Sequence, residues 1–218
     1  MIRLHHVPES RSMRVLWMLH ELGLDFELAV HPFDKSLRDP TYLAVHPGGR
    51  VPALEIDDTV LFESGAALEY LCARHPQAGL GCAFGHADYA DWLNWLHFAE
   101  SISQHTAALT QQHVAIYPAE KRSPLVTKLE AARLAKLFQA LDARLSGRDT
   151  LLESGFSAAD IGVGQALYMA KHFVRLGRFE RLNAYYERLS ARTAFQKSLP
   201  ADGDMRLYQA GFYEVLNG

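Results

Sequence analysis

Apolar residues recur with two different periods in the first third of the chain and with a single, helical period afterwards. Residues 2–7 and 26–30 are short apolar runs of strand length, and the stripe between them has helical spacing and stops at Gly23. Glycine is well suited to end a helix. The start of the chain therefore predicts a strand, a helix and a second strand.

The segment after the second strand carries turn signals rather than a period. Residues 31–50 include two Asp/Pro-type turns and the run HPGG, and predict mostly loop. Residues 51–56 and 60–62 lie on either side of an Asp-Asp turn and predict a β-hairpin, and residues 64–74 predict a helix. An order of βαβ followed by ββα predicts one small mixed sheet with helices on its faces.

Beyond residue 85 every patterned segment is helical. Residues 77–85 are rich in Gly and Ala without a period and predict a linker. The sequence thus predicts an α/β domain over residues 1–78 and an all-α domain over residues 86–218. The predicted helices of the second domain cover residues 86–112, 124–147, a segment starting near 158, 183–190 and 194–199.

Two helix starts in the second domain carry capping signals. Ser123-Pro124 combines a capping serine with proline at the first helical position. Ser157 and Asp160 have the spacing of a capping box, with aspartate in place of the more usual glutamate. We therefore expect Asp160 to be structural and not catalytic.

Composition and charge exclude several classes of protein. The chain has 218 residues, 49% of them hydrophobic, and a net charge of −3. This predicts a folded globular protein without the basic stripe of a nucleic-acid-binding one. No apolar run reaches the roughly 20 residues that span a bilayer, and the start of the chain lacks a signal-peptide core, so we expect a cytoplasmic protein without membrane contact. Cys72 and Cys82 fit neither a disulfide framework nor a redox or zinc motif, and no metal site is predicted.

Val51-Pro52 is the first of three stretches that carry candidate chemistry. Proline belongs at the start or edge of a strand, and either a cis or a trans bond fits here. A cis bond would leave the backbone N–H and C=O of Val51 able to pair with an extended, peptide-like ligand.

The second stretch places Glu63 and Ser64 where a strand becomes a helix. Backbone N–H groups at a helix start favour a carboxylate, and Glu63 favours an ammonium group. The pair therefore suits an amino acid head group, although plain helix capping is the commoner role of such a motif.

The third stretch begins the first helix with Ser10 and two arginines, Arg11 and Arg14. A thiolate beside Ser10 would receive a hydroxyl hydrogen bond, the helix dipole and the field of a nearby arginine. Together these can lower a thiol pKa from about 8.5 by one to two units. The arginines then pair with the negative charge of a ligand, or their side chains simply extend into solvent.

These stretches, in their order along the chain, resemble the motifs of cytosolic glutathione S-transferases, in particular serine-type bacterial and fungal members, over nearly the whole chain. The resemblance implies a thioredoxin-like N-terminal domain, an all-α C-terminal domain and a homodimer. The similar fragments are SRSMRVLWMLHELGL, HPGGRVPALEI, FESGAALEYL, WLNWLHFAESI and FSAADIGVGQAL.

The resemblance also implies roles for single residues. Ser10 would hold and activate the sulfur of glutathione; the alternative is that the neighbouring Arg11 or Ser12 makes that bond. Glu63 with Ser64 would bind the γ-glutamyl head group. A second group would bind the remainder of glutathione: Val51, before a cis Pro52, pairs with the cysteinyl backbone, and Arg50, together with His46, reaches the glycine carboxylate.

The sequence also departs from other branches of the family. His5 and His6 stand where tyrosine-type relatives keep their catalytic tyrosine, and no cysteine lies near the first helix. The electrophile pocket is expected between the Ser10 loop and the helix with Trp92 and Trp95. Histidines and a tyrosine that could line it, but that more often serve as surface or core residues, are His97, His105 and Tyr117.

The expected reaction is attack of the glutathione thiolate on an apolar electrophile or on a peroxide. Two alternatives stay open. One is a glutathione-dependent isomerase, which uses glutathione without consuming it. The other is a non-catalytic member of the fold that binds or stores hydrophobic compounds.

Overall fold

The computed structural model describes residues 1–216 of the chain. It forms two compact units. The first contains residues 1–83 together with 191–207, and the second contains residues 84–190 together with the chain from residue 208 onward. The domain limits 1–78 and 86–218 stay a prediction.

A four-stranded mixed sheet is the centre of the first unit. Its strands are arranged in the order β2-β1-β3-β4, with β1 parallel to β2 and antiparallel to β3, and β3 antiparallel to β4. This confirms the small mixed sheet expected from the sequence. The strands are β1 (Ile2–His6), β2 (Glu27–Val30), β3 (Ala53–Ile56) and β4 (Thr59–Leu61).

Two helices of the first unit lead directly into the candidate site. They are α1 (Ser12–Glu21) and α3 (Ser64–Arg74), and each follows the end of a strand. The side chains of Trp17 and Leu68 are fully buried on them. Burial of these side chains in the core of the first unit therefore fixes the two helices, and with them the helix starts at the candidate site.

The connection between β2 and β3 is more ordered than the expected loop. It contains a 3₁₀ turn (Lys35–Arg38) and a short helix, α2 (Pro40–Leu43). Asp34 accepts a hydrogen bond from the N–H of Ser36 at 2.8 Å and so starts the 3₁₀ turn, and Pro40 begins α2. Such local capping is not visible in the apolar period of a sequence.

Two buried side chains hold this connection in place. Leu37 and Tyr42 cluster with Val7, and Val51 packs against the cluster. Gly49 has φ +58°, and a Cβ there would lie 2.7 Å from the carbonyl oxygen of Leu37, so only glycine fits. The segment before the predicted proline motif is thus anchored to the end of β1.

The second unit is all-α, as the sequence predicts. Ser123 caps helix α5 (Pro124–Arg144) by accepting from the N–H of Val126, which confirms the predicted start. The predicted helix ending near residue 112 instead ends at Thr110 and continues as a π-helical turn over Gln111–Ala115. Among the described residues no helix is both long and apolar enough to cross a bilayer. The helices are α4 (Tyr89–Thr110), α5 (Pro124–Arg144), α6 (Ala158–Ala170) and α7 (Glu180–Ser190).

The start of α6 confirms the predicted capping box. Asp160 accepts from the N–H of Ser157 at 2.8 Å, and the Ser157 hydroxyl accepts from Ala159 at 3.2 Å. The Asp160 carboxylate also accepts from the N–H of Leu151 and from the hydroxyl of Tyr185. Burial raises the pKa of the Asp160 carboxyl, and these hydrogen bonds act against the rise. Asp160 therefore joins three segments of the second unit.

The last helix, α8 (Thr193–Lys197), packs on α1 within the first unit. Arg192 donates two hydrogen bonds to Glu21, at 2.7 and 2.8 Å, and Glu21 also accepts from the indole of Trp17 at 2.8 Å. Phe195 meets the ring of Trp17 edge-on. The C-terminal half of α1 is thus held by both an ion pair and aromatic packing.

Candidate functional site

The loop from β1 to α1 turns sharply at Glu9. This residue is buried and has φ +61°, a left-handed conformation that is costly for a side chain larger than glycine. The turn places Ser10 directly before α1, where its carbonyl accepts from the N–H of Met13 at 3.1 Å. Ser10 itself is half-buried. It therefore lies at the amino-terminal end of α1, as predicted.

Two serine hydroxyls and a histidine form a connected row in this loop. The oxygens of Ser10 and Ser12 are 2.7 Å apart, and the Ser12 oxygen is 2.8 Å from Nδ1 of His6. Ser12 also accepts from the N–H of Val7 at 3.2 Å. Ser12 is fully buried, whereas Ser10 is only half-buried. Ser10 is therefore the end of the row that a ligand can reach.

His6 is a neutral imidazole near pH 7. Burial lowers its pKa to about 4, and the repulsive field of His31 adds to this, while the carboxylate of Asp204 raises it in part. Only 3% of the side chain is exposed. The row of hydroxyls thus ends on an uncharged ring with one N–H and one acceptor nitrogen.

Arg14 connects α1 to α3. Its Nη1 donates to the hydroxyl of Ser64 at 3.2 Å, and its side chain is 1% exposed. The alternative that both arginines extend into solvent is therefore wrong for Arg14. Arg11, at the start of the same helix, is half-buried. One of the two cations at this helix start is thus a buried link between two candidate segments.

Glu63 and Ser64 lie where the sequence predicts, at the start of α3. Glu63 has an extended backbone and an exposed side chain, and Ser64 is the first residue of the helix and is buried. The carboxylate of Glu63 is thus accessible to an ammonium group, beside a helix start whose N–H groups favour a carboxylate. The two complementary charges of an amino acid head group are matched there.

The bond between Val51 and Pro52 is cis. Pro52 is buried, and Val51 precedes the first ladder residue of β3, Ala53. Within residues 1–216 neither the N–H nor the C=O of Val51 makes a hydrogen bond. An extended ligand can therefore pair with this backbone as a neighbouring strand would.

His46 and Arg50 differ in their surroundings. His46 is buried, its Nδ1 accepts from the N–H of Gly48 at 3.0 Å, and its ring packs against Phe62. Burial lowers the pKa of His46, partly offset by the carboxylate of Glu63. Arg50 is exposed. Near pH 7 the positive charge available to a ligand carboxylate comes from Arg50, and His46 shapes the loop that precedes it.

Two residues of this region, His6 and Glu9, were not identified as site residues from the sequence. Arg14 was weighed only as a cation for the charge of a ligand or as a side chain extending into solvent, and not as a link to Ser64. Arg14 carries a readable signal, because it interrupts the otherwise apolar run from Met13 to Trp17 and so must be buried with it. The roles of the other two depend on a backbone turn and on a hydroxyl contact, which leave no pattern along the chain.

The polar candidates of the second unit have ordinary structural positions. Nδ1 of His105 lies 2.6 Å from a carboxylate oxygen of Glu130. The side chain of Tyr117 is 87% exposed. His105 of α4 is thus held in an ion pair or hydrogen bond with Glu130 of α5, and both side chains are mostly buried.

The arrangement of the first unit is that of a thioredoxin-like domain, and known proteins share it. Residues 4–79 match the family described as glutathione S-transferase, N-terminal domain. Glutathione S-transferase 3 of Zea mays is 30% identical over 92% of this chain and 94% of its own. The chain therefore belongs to the glutathione S-transferase family, and it is an enzyme of that family.

Solved structures agree with the fold of both units. A glutathione S-transferase from Xylella fastidiosa has a TM-score of 0.81 at 27% identity, covering 91% of this chain and 97% of its own. A sphingomonad glutathione S-transferase complexed with glutathione has a TM-score of 0.77 at 28% identity, covering 90% and 96%. These likenesses support the architecture of a thioredoxin-like domain and an all-α domain.

Proposed function

We propose that this protein is a serine-type transferase that binds glutathione as co-substrate and activates its thiol with the hydroxyl of Ser10. The thiolate then attacks a hydrophobic electrophile or a peroxide. The observation that carries this proposal is the difference in exposure between the two serines. Ser10 is half-buried at the start of α1, whereas Ser12 is fully buried and already bonded to its neighbours.

The remainder of glutathione matches the other candidate residues. We assign its α-ammonium group to Glu63 and its γ-glutamyl carboxylate to Ser64 and the N–H groups of α3. The cysteinyl backbone pairs with Val51 next to the cis Pro52. The glycine carboxylate lies toward Arg50, whose loop is shaped by His46. An extended tripeptide thus meets an acid, a helix start, a strand-like backbone and a cation in the order of its own groups.

Activation rests on stabilising the charged sulfur. A hydrogen bond to a charged acceptor is worth about 1.5–3 kcal/mol, and about 1.4 kcal/mol corresponds to one pKa unit. A hydroxyl hydrogen bond from Ser10, with the dipole of α1 and the charge of Arg11, is therefore sufficient to lower the thiol pKa by one to two units.

The chemical step needs only the thiolate and the second substrate. With an electrophile, a carbon–sulfur bond forms and the leaving group departs with its electron pair. With a peroxide, the sulfur attacks one oxygen, so that an S–O bond forms as the O–O bond breaks, and the other oxygen leaves as an alcohol after taking up a proton. A second glutathione then reduces the sulfenic acid, which gives glutathione disulfide and water. The enzyme is proposed to work as a homodimer in the cytoplasm. Light scattering of the purified protein measures its oligomeric state.

The first experiment titrates glutathione bound to the enzyme by its thiolate absorbance, for the wild type and for Ser10→Ala. We expect the wild-type thiol to titrate below free glutathione and the variant to lose most of that shift. Ser101→Ala, an exposed serine of α4, is the control and should titrate as the wild type. If the Ser10 variant keeps the full shift, activation does not come from this hydroxyl. Net loss of glutathione during turnover separates conjugation from an isomerase.

A further inference from the structure

The hydrogen bonds that join Ser10, Ser12 and His6 limit where the hydroxyl hydrogen of Ser10 can point. A hydroxyl carries one hydrogen and two lone pairs. The oxygens of Ser10 and Ser12 are 2.7 Å apart, so one of them donates to the other. The Ser10 oxygen also accepts from the N–H of Ser12 at 3.2 Å. The direction of the contact between the two hydroxyls decides where the single hydrogen of Ser10 points.

Donation to a thiolate requires one of the two directions. If the hydrogen of Ser10 is directed at a sulfur, the Ser10 oxygen must accept from the hydroxyl of Ser12. Ser12 has then used its only hydrogen, so the C=O of Val7, which lies 3.3 Å from the Ser12 oxygen, receives none from it. The two lone pairs of Ser12 accept from its remaining close partners, the N–H of Val7 at 3.2 Å and Nδ1 of His6 at 2.8 Å. Nδ1 of His6 must therefore carry a hydrogen.

The opposite direction is unsuited to the reaction. If His6 has no hydrogen on Nδ1, that nitrogen accepts from Ser12, and Ser12 can then only accept from Ser10. The hydrogen of Ser10 would point into the protein, and its oxygen would present a lone pair to the sulfur. A lone pair facing a thiolate raises the thiol pKa rather than lowering it.

We propose that His6 is a positioning residue, which acts through Ser12 to direct the hydroxyl hydrogen of Ser10 at the sulfur of the co-substrate. The inference rests on the proposed function of Ser10. His6 needs no charge for this role, since a neutral ring with its hydrogen on Nδ1 is sufficient. It makes no contact with the reacting atoms.

The neutral state agrees with the surroundings of the ring. His6 is 3% exposed, and burial lowers its pKa to about 4. The ionisable groups whose fields reach it are the carboxylate of Asp204 and the imidazole of His31. At the working pH the ring is thus uncharged, and its tautomer decides whether Nδ1 donates to the Ser12 oxygen or accepts from it.

Three variants distinguish the loss of the hydrogen-bond donor at His6 from the loss of its side-chain packing. His6→Leu removes the N–H, whereas in His6→Asn the amide nitrogen occupies the position of Nδ1 and keeps a donor. His5→Leu is the matched control, because His5 is the preceding residue of β1, equally buried, and bonded to His31 and Glu55 instead of the serines. Adjacent residues of a strand point to opposite faces of the sheet.

The readout is the pKa of glutathione bound to each full-length protein, by thiolate absorbance. We expect His6→Leu to raise the bound thiol pKa by about one unit, roughly a tenfold loss of thiolate at neutral pH. His6→Asn should stay within a few tenths of a unit of wild type, and so should His5→Leu. Combining His6→Leu with Ser10→Ala should add nothing to Ser10→Ala alone, because both act on one hydrogen bond.

A second measurement does not depend on the folding of a variant. The ¹⁵N chemical shifts of imidazole nitrogens in the wild-type complex with glutathione report which nitrogen of His6 carries the hydrogen. A protonated Nδ1 is expected, and a bare Nδ1 would overturn the inference.

The outcomes distinguish this inference from the proposed function. If the wild-type enzyme does not lower the thiol pKa, or Ser10→Ala has no effect, the function of Ser10 fails and the role of His6 with it. If Ser10→Ala abolishes the shift while His6→Leu titrates like wild type, only the role of His6 is overturned. If His6→Asn loses as much as His6→Leu, the effect comes from packing and the positioning role is likewise overturned.

Discussion

The guanidinium of Arg14 and the hydroxyl of Ser64 are joined by a hydrogen bond of 3.2 Å, although the two residues are 50 positions apart. The bond ties the first turn of α1 to the first turn of α3. Because Ser10 precedes α1 and Glu63 precedes α3, it also couples the proposed thiol site to the proposed head-group site. The cation at the start of the first helix thus has a partner in the protein itself.

Replacing Arg14 should therefore weaken glutathione binding. In Arg14→Met the Ser64 hydroxyl loses its donor and the carboxylate of the ligand loses a nearby positive charge. We expect the dissociation constant of glutathione to rise about tenfold, equivalent to about 1.4 kcal/mol, as measured by calorimetry. Arg74→Met, in the last turn of α3 and paired with Asp57, is the control. Equal effects of the two variants would count against the coupling.

Glu63 should recognise the ammonium group of glutathione specifically. We expect Glu63→Gln to weaken glutathione binding about tenfold, since a hydrogen bond between charged groups is worth about 1.5–3 kcal/mol. The variant should then be indifferent to acetylation of the ligand's α-amine, which the wild type should not tolerate. Glu69→Gln on the same helix serves as control. An equal penalty for acetylation in the wild type and in Glu63→Gln contradicts the assignment.

Acid should destabilise the fold through His6. Its pKa is lowered from 6.5 to about 4 in the folded protein, so the unfolded chain binds the proton first as the pH falls. The contribution of His6 to stability is thus complete above pH 6.5 and is lost as the pH falls from 6.5 toward 4. From this group alone we expect a loss of about 2 kcal/mol at pH 5.

Urea unfolding at about pH 7.5 and pH 5 measures this loss. Two other histidines, His31 and His46, also have lowered pKa values, so their protonation destabilises the fold in the same direction as the pH falls. The informative quantity is therefore the difference between the wild type and His6→Asn, which cannot take up this proton. The variant should lose about 2 kcal/mol less than the wild type, and parallel losses would mean that His6 is protonated in the folded state.

Asp160 should be the most sensitive position at the start of α6. Asp160→Ala leaves the buried N–H groups of Leu151 and Ser157 without their acceptor. Each unsatisfied group costs about 1–3 kcal/mol, so we expect a fall of about 3 kcal/mol or more in the free energy of unfolding. Ser157→Ala, which removes one capping bond, should cost about 1 kcal/mol. Similar costs for the two variants in thermal and urea unfolding would show that Asp160 does not connect the segments.

Two buried tryptophans give a paired test of hydrogen bonding. Trp17 donates its indole N–H to Glu21 at 2.8 Å, whereas the indole nitrogen of Trp92 has no partner in the part of the chain that the structure describes. Changing either one to phenylalanine removes a similar volume. We expect Trp17→Phe to cost about 1.5–3 kcal/mol more than Trp92→Phe in urea unfolding. A larger cost for Trp92→Phe would mean that its N–H is satisfied.

Local patterns along the chain were sufficient to predict the fold class and many element boundaries. The predicted bounds of α3 agree with the structure, and so does the start of α5 at Ser123-Pro124. Both depend on residues that act on their immediate neighbours, such as a capping hydroxyl or a proline. The connection containing Lys35–Arg38 and Pro40–Leu43 was expected to be mostly loop, because its elements are too short to show a period.

The sequence also predicted several residues of the candidate site, because they occur in short motifs at strand and helix ends. These residues are Ser10, Val51, Pro52, Glu63 and Ser64. The resemblance to a family placed these motifs in order, and similarity to known members shows the family itself. The individual roles of these residues stay predictions until the variants described above are measured.

What the sequence alone determined is thus the kind of fold and the residue types available at its edges, because period, capping and turn chemistry act over a few neighbouring positions. Only the tertiary structure decided which groups meet. Arg14 is buried against Ser64, and Ser12 is placed between Ser10 and His6, because the sheet brings separate strand and helix ends together. Hydrogen bonds act over about 3 Å, and a contact of that length between distant residues has no signature in the order of amino acids.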